Sequence, residues 1–435
     1  MQYKMKDSGV EWIGEVPNEW EILIAKNAFE EVKEKNTTGE YSRQLSFRYG
    51  KIVDKTVNTA TVMAEDETTS LYRVVKPNTI IINGLNLNYD FVTQRVAIVT
   101  NTGIITSAYL AIRCNQRMLY PEYALYLFKS YDSKQVFHSY GSGIRKTLKF
   151  NDFKDIPVVT PPKEEQIKII DYLDEKCGVI DEIIEQAKAT IEEYKAWKSS
   201  VIFEAVTKGL DPNAEMKDCN IPEIGLIPCK SQVIKIRYLI SCIESGVSVN
   251  AGQEPAQEGE MGILKTSAVS QYKFIQTENK NVNLEEYSRL SCPVKSNTII
   301  VSRMNTPELV GACGYVDKSY GNLFLPDRLW QVHFTESTNV KYIWYYLCSN
   351  YVRNYYASLS TGTSSSMQNI SQEQFFNVNI ILPTEDEQSR IVNFLDRKCS
   401  VIDEIIAEKE ALIADMDAYK KSLIFETVTG KRKVC

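Results

Sequence analysis

The sequence predicts an α+β protein built twice over: two mixed α/β domains joined by two long helices that form an antiparallel coiled coil, the halves related by a pseudo-twofold internal repeat. Three observations predict it. The phrase LDEKCGVIDEII at residues 173–184 returns as LDRKCSVIDEII at 395–406. The opening MKDSGVEWIGEVP (5–17) returns as MKDCNIPEIGLIP (216–228). Between these echoes lie two stretches whose identity almost vanishes but whose short β-branched runs come in the same order. A repeat of this length is a domain with its connector, too long for a solenoid unit.

The opening phrase keeps Ile13/Ile224, Gly14/Gly225 and Pro17/Pro228 in step, although the second copy lacks the tryptophans of Trp12 and Trp20. The first variable stretch then reads as strands and turns: NTIIINGLN (78–86), QRVAIVTNTGIIT (94–106) and AYLAIRC (108–114). Its counterpart offers NTIIVSRMN (297–305), GACGYVD (311–317) and RLWQVHF (328–334). An aromatic helix follows in each, PEYALYLFKS and VKYIWYYLCSN, and is read as core.

The constant blocks align at an offset of 222 from Pro161/Pro383 to Thr207/Thr429, with roughly half the positions identical. Apolar residues advance by alternating threes and fours, the spacing of a heptad seam. Leu173, Cys177, Ile180, Ile184 and Ile191 form it in the first block, and Leu395, Cys399, Ile402, Ile406 and Ile413 in the second. Lys198, Lys409 and Lys420 are its polar exceptions. The prolines and the acids of KEEQ and EDEQ mark helix starts, because carboxylates are favoured in a first turn. The cysteines are thus small apolar knobs, and the acids beside them are expected to face outward. Two such helices bury their stripes on each other. Further apolar positions (Ile169, Ile183, Trp197 and Ile202; Ile391, Ile405, Tyr419 and Ile424) widen the stripe and suggest a docking surface for another protein. The resulting division is 1–160, 161–209, 210–382 and 383–435.

The chain has room for two or three domains and the composition of an ordinary soluble protein. Its N-terminus lacks a signal-peptide core and no run approaches a membrane span, so a cytoplasmic protein without membrane contact is expected. Ten cysteines stand singly, without C-x-x-C and with only His138 and His333 as imidazole company, which argues for reduced thiols and no metal. The net charge is −6, yet each constant block holds 11 acids against 6 bases; the rest of the chain is therefore +4. That balance permits nucleic-acid binding by the variable regions.

The candidate contacts lie in variable-region loops. GSGIRKTLK (141–149) supplies Ser142, Arg145, Lys146 and Lys149 with no acid among them. STGTSSSMQN (360–369), at the same place in the repeat, supplies Thr363, Ser364, Ser365, Gln368 and Asn369. Arg43, Gln44, Arg48 and Lys51 in YSRQLSFRYGK, with Lys265 and Arg303, are further candidates. Such side chains suit phosphates and base edges. Neither phosphate-binding glycine motif is present, nor the Asn/Asp-Pro-Pro-aromatic signature of adenine methylation, and the clustered carboxylates lie on helix faces, so the chain is read as non-catalytic.

TPPKEEQIKIIDYLDEKCGVIDEII and LPTEDEQSRIVNFLDRKCSVIDEII, each closing a variable region, resemble the specificity (S) subunit of type I restriction-modification enzymes over essentially the whole chain. The resemblance implies two target recognition domains, each reading half of a bipartite double-stranded DNA sequence, and an antiparallel coiled coil that sets the spacer. It also implies partners: methyltransferase subunits, usually two, which use S-adenosylmethionine, and ATP-dependent restriction subunits. No cofactor is expected in this chain. The rival readings are a coiled-coil adaptor that never touches DNA, a DNA-processing enzyme with an unseen site, and a DNA reader that works without partners.

Overall fold

The computed structural model of the chain describes residues 3–55, 69–91, 94–364 and 367–434. Its longest elements are the two helices of the repeat, α1 (Lys163–Lys208, 46 residues) and α2 (Glu385–Val428, 44 residues). At ~1.5 Å per residue each is a rod of roughly 65–70 Å. Both open on acids, Glu164 and Glu165 or Glu385, Asp386 and Glu387. The glutamine that follows is buried. Gln166 accepts from the Tyr120 N–H at 2.9 Å and donates to the Met118 and Pro161 carbonyls at 2.8 and 2.9 Å. Gln388 donates to the Pro383 carbonyl at 2.9 Å. The repeated Gln therefore staples each helix start to the strand before it.

The chain forms two compact units, Met1–Lys188 with Glu410–Cys435, and Ala189–Lys409, so the division falls inside both long helices. In the first, strands β1 (Phe29–Glu31), β2 (Thr79–Ile82), β3 (Val96–Ile98) and β4 (Leu110–Cys114) make an antiparallel sheet in the order β1-β4-β2-β3. In the second, β5 (Ile240–Ser245), β6 (Thr298–Ser302), β7 (Cys313–Val316) and β8 (Leu329–Phe334) repeat it as β5-β8-β6-β7. Fold has survived where identity has not. The inner strands β2 and β6 are buried throughout because each separates two cores. Their two-residue alternation sends Ile80 and Ile82 to one cluster and Ile81 to the other, and Ile299 and Val301 to one and Ile300 to the other.

The aromatic helices, Pro121–Ser133 and Val340–Leu347, are core as expected, and they also tie the long helices down. Tyr123 Oη lies 3.1 Å from the Val159 carbonyl and 3.2 Å from that of Val428 in the last turn of α2. Tyr342 Oη lies 2.6 Å from the Ile381 carbonyl and 3.1 Å from that of Val206 near the end of α1. Tyr126 donates to Asp174 at 2.6 Å and Tyr345 to Asp396 at 2.7 Å. These two repeated acids thus bond their own domain, Asp174 while remaining exposed and Asp396 half-buried, because a buried phenol needs a partner that the heptad pattern does not reveal.

The seam residues Leu173, Cys177, Ile180, Ile184 and Ile191 are buried, as are Leu395, Cys399 and Ile402, whereas Ile406 and Ile413 are only half-buried. The lysines that interrupt the pattern set the register. Lys198 donates to both Asp403 oxygens at 2.6 and 2.8 Å, and Lys420 to both Asp181 oxygens at 2.6 Å. The two numbers in each pair add to the same total, the signature of antiparallel pairing, and each bridge lies within one unit. Charged pairs flanking a seam fix its register. Burial pushes the Asp403 carboxyl up, but the Lys198 and Lys273 ammoniums outweigh it and hold the group below its ordinary value.

Ile169, Ile202, Ile391 and Ile424 do not widen an outer stripe; they are buried in the domain cores. A heptad pattern cannot distinguish a surface kept for a partner from one covered by the chain's own domain. Val179, Ile183, Trp197, Val401 and Tyr419 do remain exposed, and Ile405 is half-buried.

The opening phrases form matching hairpins, Met5–Asp7 with Glu15–Pro17 and Met216–Asp218 with Leu226–Pro228. Gly14 and Gly225 sit at φ 72° and 74°, which is left-handed backbone that favours glycine. The strand after each hairpin pairs with the strand before a long helix: Glu21–Ile24 with Pro157–Thr160, and Gln232–Lys235 with Asn379–Leu382. Loss of the tryptophans has not altered this plan. The nine described cysteines are free thiols, and no described helix is long and apolar enough to cross a membrane.

Candidate nucleic-acid interface

In the first unit the hairpin 141–149 is clamped onto the loop after β2. Its stem closes through Ser142 and Thr147, each amide donating to the other's carbonyl at 3.2 and 2.8 Å. Gly143 at φ 83° and Lys146 at φ 36° make the turn. Three bonds then pin it: Leu148 N–H to the Gly84 carbonyl at 2.9 Å, Leu87 N–H to that of Lys146 at 3.0 Å, and Asn88 Nδ2 to that of Ile144 at 3.2 Å. A Cβ on Gly84 would lie 2.6 Å from the Leu148 carbonyl, so that approach requires glycine. Ser142, Arg145, Lys146 and Lys149 are all exposed. Lys146 also reaches the His138 carbonyl at 3.3 Å.

The loop beneath is set by Arg95, a residue that sequence reasoning missed. Its side chain is 1% exposed, and its guanidinium donates to the carbonyls of Asn83, Leu85 and Asp90 at 2.9, 2.9 and 2.7 Å. Its backbone N–H donates to Asp132 at 2.8 Å. Burial pushes the Asp132 carboxyl up to about 6, against the pull of Arg95 and His138. Phe91 stacks on His138 with centroids 5.0 Å apart and an interplanar angle of 16°. The loop is therefore pre-shaped, with Tyr89 and Phe91 exposed upon it and Ile144 exposed at the tip of the hairpin it holds.

The hairpin Leu45–Arg48 with Lys51–Asp54 brings part of the other candidate group to the same end. A Cβ on its turn residue Gly50 would lie 2.7 Å from Gln94, the neighbour of Arg95. Arg48 and Lys51 flank this turn and are exposed, as is Tyr49. Arg43 and Gln44 are otherwise engaged. Arg43 holds Asp54 through Nε at 2.6 Å and Nη2 at 2.9 Å, and Gln44 accepts from Lys55 at 3.1 Å. The strand register that pairs them is not visible in sequence.

In the second unit the same geometry recurs. Strands Thr361–Ser364 and Met367–Asn369 form a hairpin that adds to Met304–Asn305, just beyond β6. Ile370 N–H donates to the Arg303 carbonyl at 3.0 Å, the counterpart of the Leu148–Gly84 bond. Arg303, Gln368 and Asn369 are thereby gathered on one small sheet, with Thr363 and Ser364 in its outer strand. Ser365 lies outside the described residues. Lys265 is not drawn into this sheet; it ends the strand Gly262–Leu264, with its ammonium 3.9 Å from Glu278.

The first unit thus presents cations and exposed rings on its hairpins and the loop after β2, and the second presents Arg303 with amides and hydroxyls on a small sheet at the equivalent place after β6. The chain belongs to the family described as the type I restriction modification DNA specificity domain, whose sequence model matches residues 57–193 and 243–414. It is 24% identical to the EcoEI type I restriction enzyme specificity subunit of Escherichia coli, over 51% of this chain and 37% of that protein. It is 22% identical to the putative MjaX type I restriction enzyme specificity subunit of Methanocaldococcus jannaschii, over 99% of this chain and 98% of the relative. Among solved structures it matches one described as the structural basis of complex assembly and conformational transition of the type I restriction-modification system. That match has a TM-score of 0.67 at 15% identity and covers 96% of this chain and 99% of the other, a likeness of fold.

Proposed function

We propose that this chain is the DNA-recognition subunit of a type I restriction-modification complex. Each α/β domain reads one half of a bipartite double-stranded DNA target, and the paired helices set the spacer between the halves. The observation that carries this reading is the doubled hairpin: the segment before each long helix is bonded to the end of the central strand by one equivalent backbone bond, Leu148 to Gly84 and Ile370 to Arg303. Exposed Arg48, Lys51, Arg145, Lys146 and Lys149 meet phosphates and base edges in the first domain, and Arg303, Thr363, Ser364, Ser365, Gln368 and Asn369 do so in the second. Hydrogen bonds to bases specify sequence, and phosphate contacts orient the reader.

The chain performs no chemistry itself. Methyltransferase subunits bring S-adenosylmethionine and extrude the target adenine, and ATP-dependent restriction subunits join the assembly. The residual apolar positions support docking of two methyltransferase subunits. Val179 and Ile183 flank Asp181, which bonds Lys420 beside exposed Tyr419. Val401 and Ile405 flank Asp403, which bonds Lys198 beside exposed Trp197. Two equivalent surfaces, one per unit, call for two copies of one partner.

Titrating the purified chain with duplex DNA over a range of salt tests the reading. A DNA reader loses affinity linearly on a log–log plot, with a slope near −0.9 per phosphate contacted. Binding independent of salt, or no binding at low salt, would move the assignment to an adaptor that never meets DNA.

A further inference from the structure

Ile144 is the most solvent-exposed of the large hydrophobic residues described, at 96%. A lone exposed apolar residue is ordinary. This one is not alone, and it is not loose. It occupies the tip of a four-residue turn whose Lys146 N–H donates back to the Gly143 carbonyl at 3.0 Å. Its own carbonyl accepts from Asn88 at 3.2 Å. Tyr89, 73% exposed, and Phe91, 56% exposed, stand on the loop that holds it. That loop is fixed from below by Leu87, fully buried, and by the three carbonyls gripped by Arg95. A β-branched side chain is also stiff about χ1.

We infer that Ile144 is an apolar wedge that enters a base step in the half-site read by the first domain, with Tyr89 packing beside it. The inference rests on the DNA-reading function proposed above and adds to it the residue that deforms the duplex. Charge complementarity selects the occupant, because the turn carries Arg145 and Lys146, Lys149 follows at the base of the hairpin, and no acid lies within 141–149. Those cations straddle phosphates on either side of the step while the isoleucine replaces the base stacking. Apolar wedges act in this way, trading unstacking for a bent duplex and a wider interface. The device belongs to the first half: at the repeat offset of 222 the second domain has Ser366 in place of Ile144, and the apolar residue beside it, Met367, is only 43% exposed and unbranched, without the stiffness of an isoleucine. Deformation at the first half-site would lower the cost of extruding a base there, so the two half-sites should differ in how far the duplex is opened before any methyltransferase arrives.

The test uses the full-length chain and duplexes of its methylation-mapped target, with 2-aminopurine placed at each position of both half-sites in turn. Fluorescence should rise on binding at one step of the first half-site and at none of the second. Ile144→Ala should abolish that rise and weaken binding about tenfold, the scale of one buried aliphatic side chain, while Ile144→Leu should retain both. Three results would overturn the wedge. If Ile144→Ala binds like the parent while Arg145→Gln still weakens binding, the reader stands and the wedge falls. If replacing thymine by uracil reproduces the loss without any fluorescence change, the isoleucine reads a thymine methyl group instead. If the parent chain shows no sequence-dependent binding, the reading function fails and the wedge fails with it.

Discussion

Adding one heptad to both long helices should lengthen the spacer of the recognised sequence. The insertion points follow from the ion pairs. The register shared by the Asp181–Lys420 and Lys198–Asp403 pairs gives 190/191 in α1 and 410/411 in α2 as matched insertion points. Seven residues inserted at each preserve the seam and leave both ion pairs in place. They add about 10 Å of helix, equal to about 3 base pairs at ~3.4 Å each. Rotation limits the response: 3 base pairs turn a half-site by about 100°, whereas a heptad departs from a whole number of helical turns by only ~20°. The expected increase is therefore between one and three base pairs, with the upper value set by length alone. The assay is N6-methyladenine mapping on a plasmid in cells that co-express the variant with its methyltransferase. An intact complex that methylates with an unaltered spacer would refute the coiled coil as the measure of that distance. Insertion into one helix alone moves Asp181 or Asp403 out of reach of its lysine and should destabilise the chain.

Other expectations follow from single groups. Changing Arg145 or Lys149 to Gln should reduce the slope of log affinity against log salt by about 0.9 for each phosphate no longer neutralised; unchanged slopes would remove these residues from the interface. Burial raises the Asp132 carboxyl from 3.8 to about 6 in the folded chain, so its neutral form is favoured there. The stability it contributes is full below 3.8 and is lost as pH rises through about 6, at a cost of up to about 3 kcal/mol. Asp132→Asn keeps an acceptor for the Arg95 N–H, so its denaturation midpoint should match the parent near pH 4 and exceed it at pH 8; parallel profiles would contradict this. Val179→Gln combined with Ile183→Gln should leave a complex that carries one methyltransferase subunit instead of two by native mass measurement, and a full complement would exclude that surface.

Periodicity makes much of the architecture legible. Cys177 and Cys399 fall on a seam because three–four spacing admits few alternatives over forty residues, and Lys198 and Lys420 stand out as its interruptions. Their partners Asp181 and Asp403 do not, since the pairing depends on a register between distant segments. Ile169, Ile202, Ile391 and Ile424 go to the wrong face for the same reason: a helix pattern records that a position is apolar, and not which body covers it. In the interface, chain order places the two hairpins at matching points of the repeat. Arg43 resembles a free cation in sequence because nothing local shows Asp54 across the strand pair. Arg95 resembles an ordinary residue at a strand edge, because its role is to bond three carbonyls of a loop that only the folded chain brings around it. Ile144 belongs in sequence to a basic turn, and its exposure becomes meaningful only once both of its anchors are placed.

The most direct test of the central claim is to co-express the chain with its methyltransferase subunit and map N6-methyladenine across a plasmid by single-molecule sequencing. A split motif with one methylated adenine in each half and a fixed unspecified spacer is the predicted result. A stable complex that leaves no sequence-dependent methylation, together with no DNA affinity at low salt, would contradict the account.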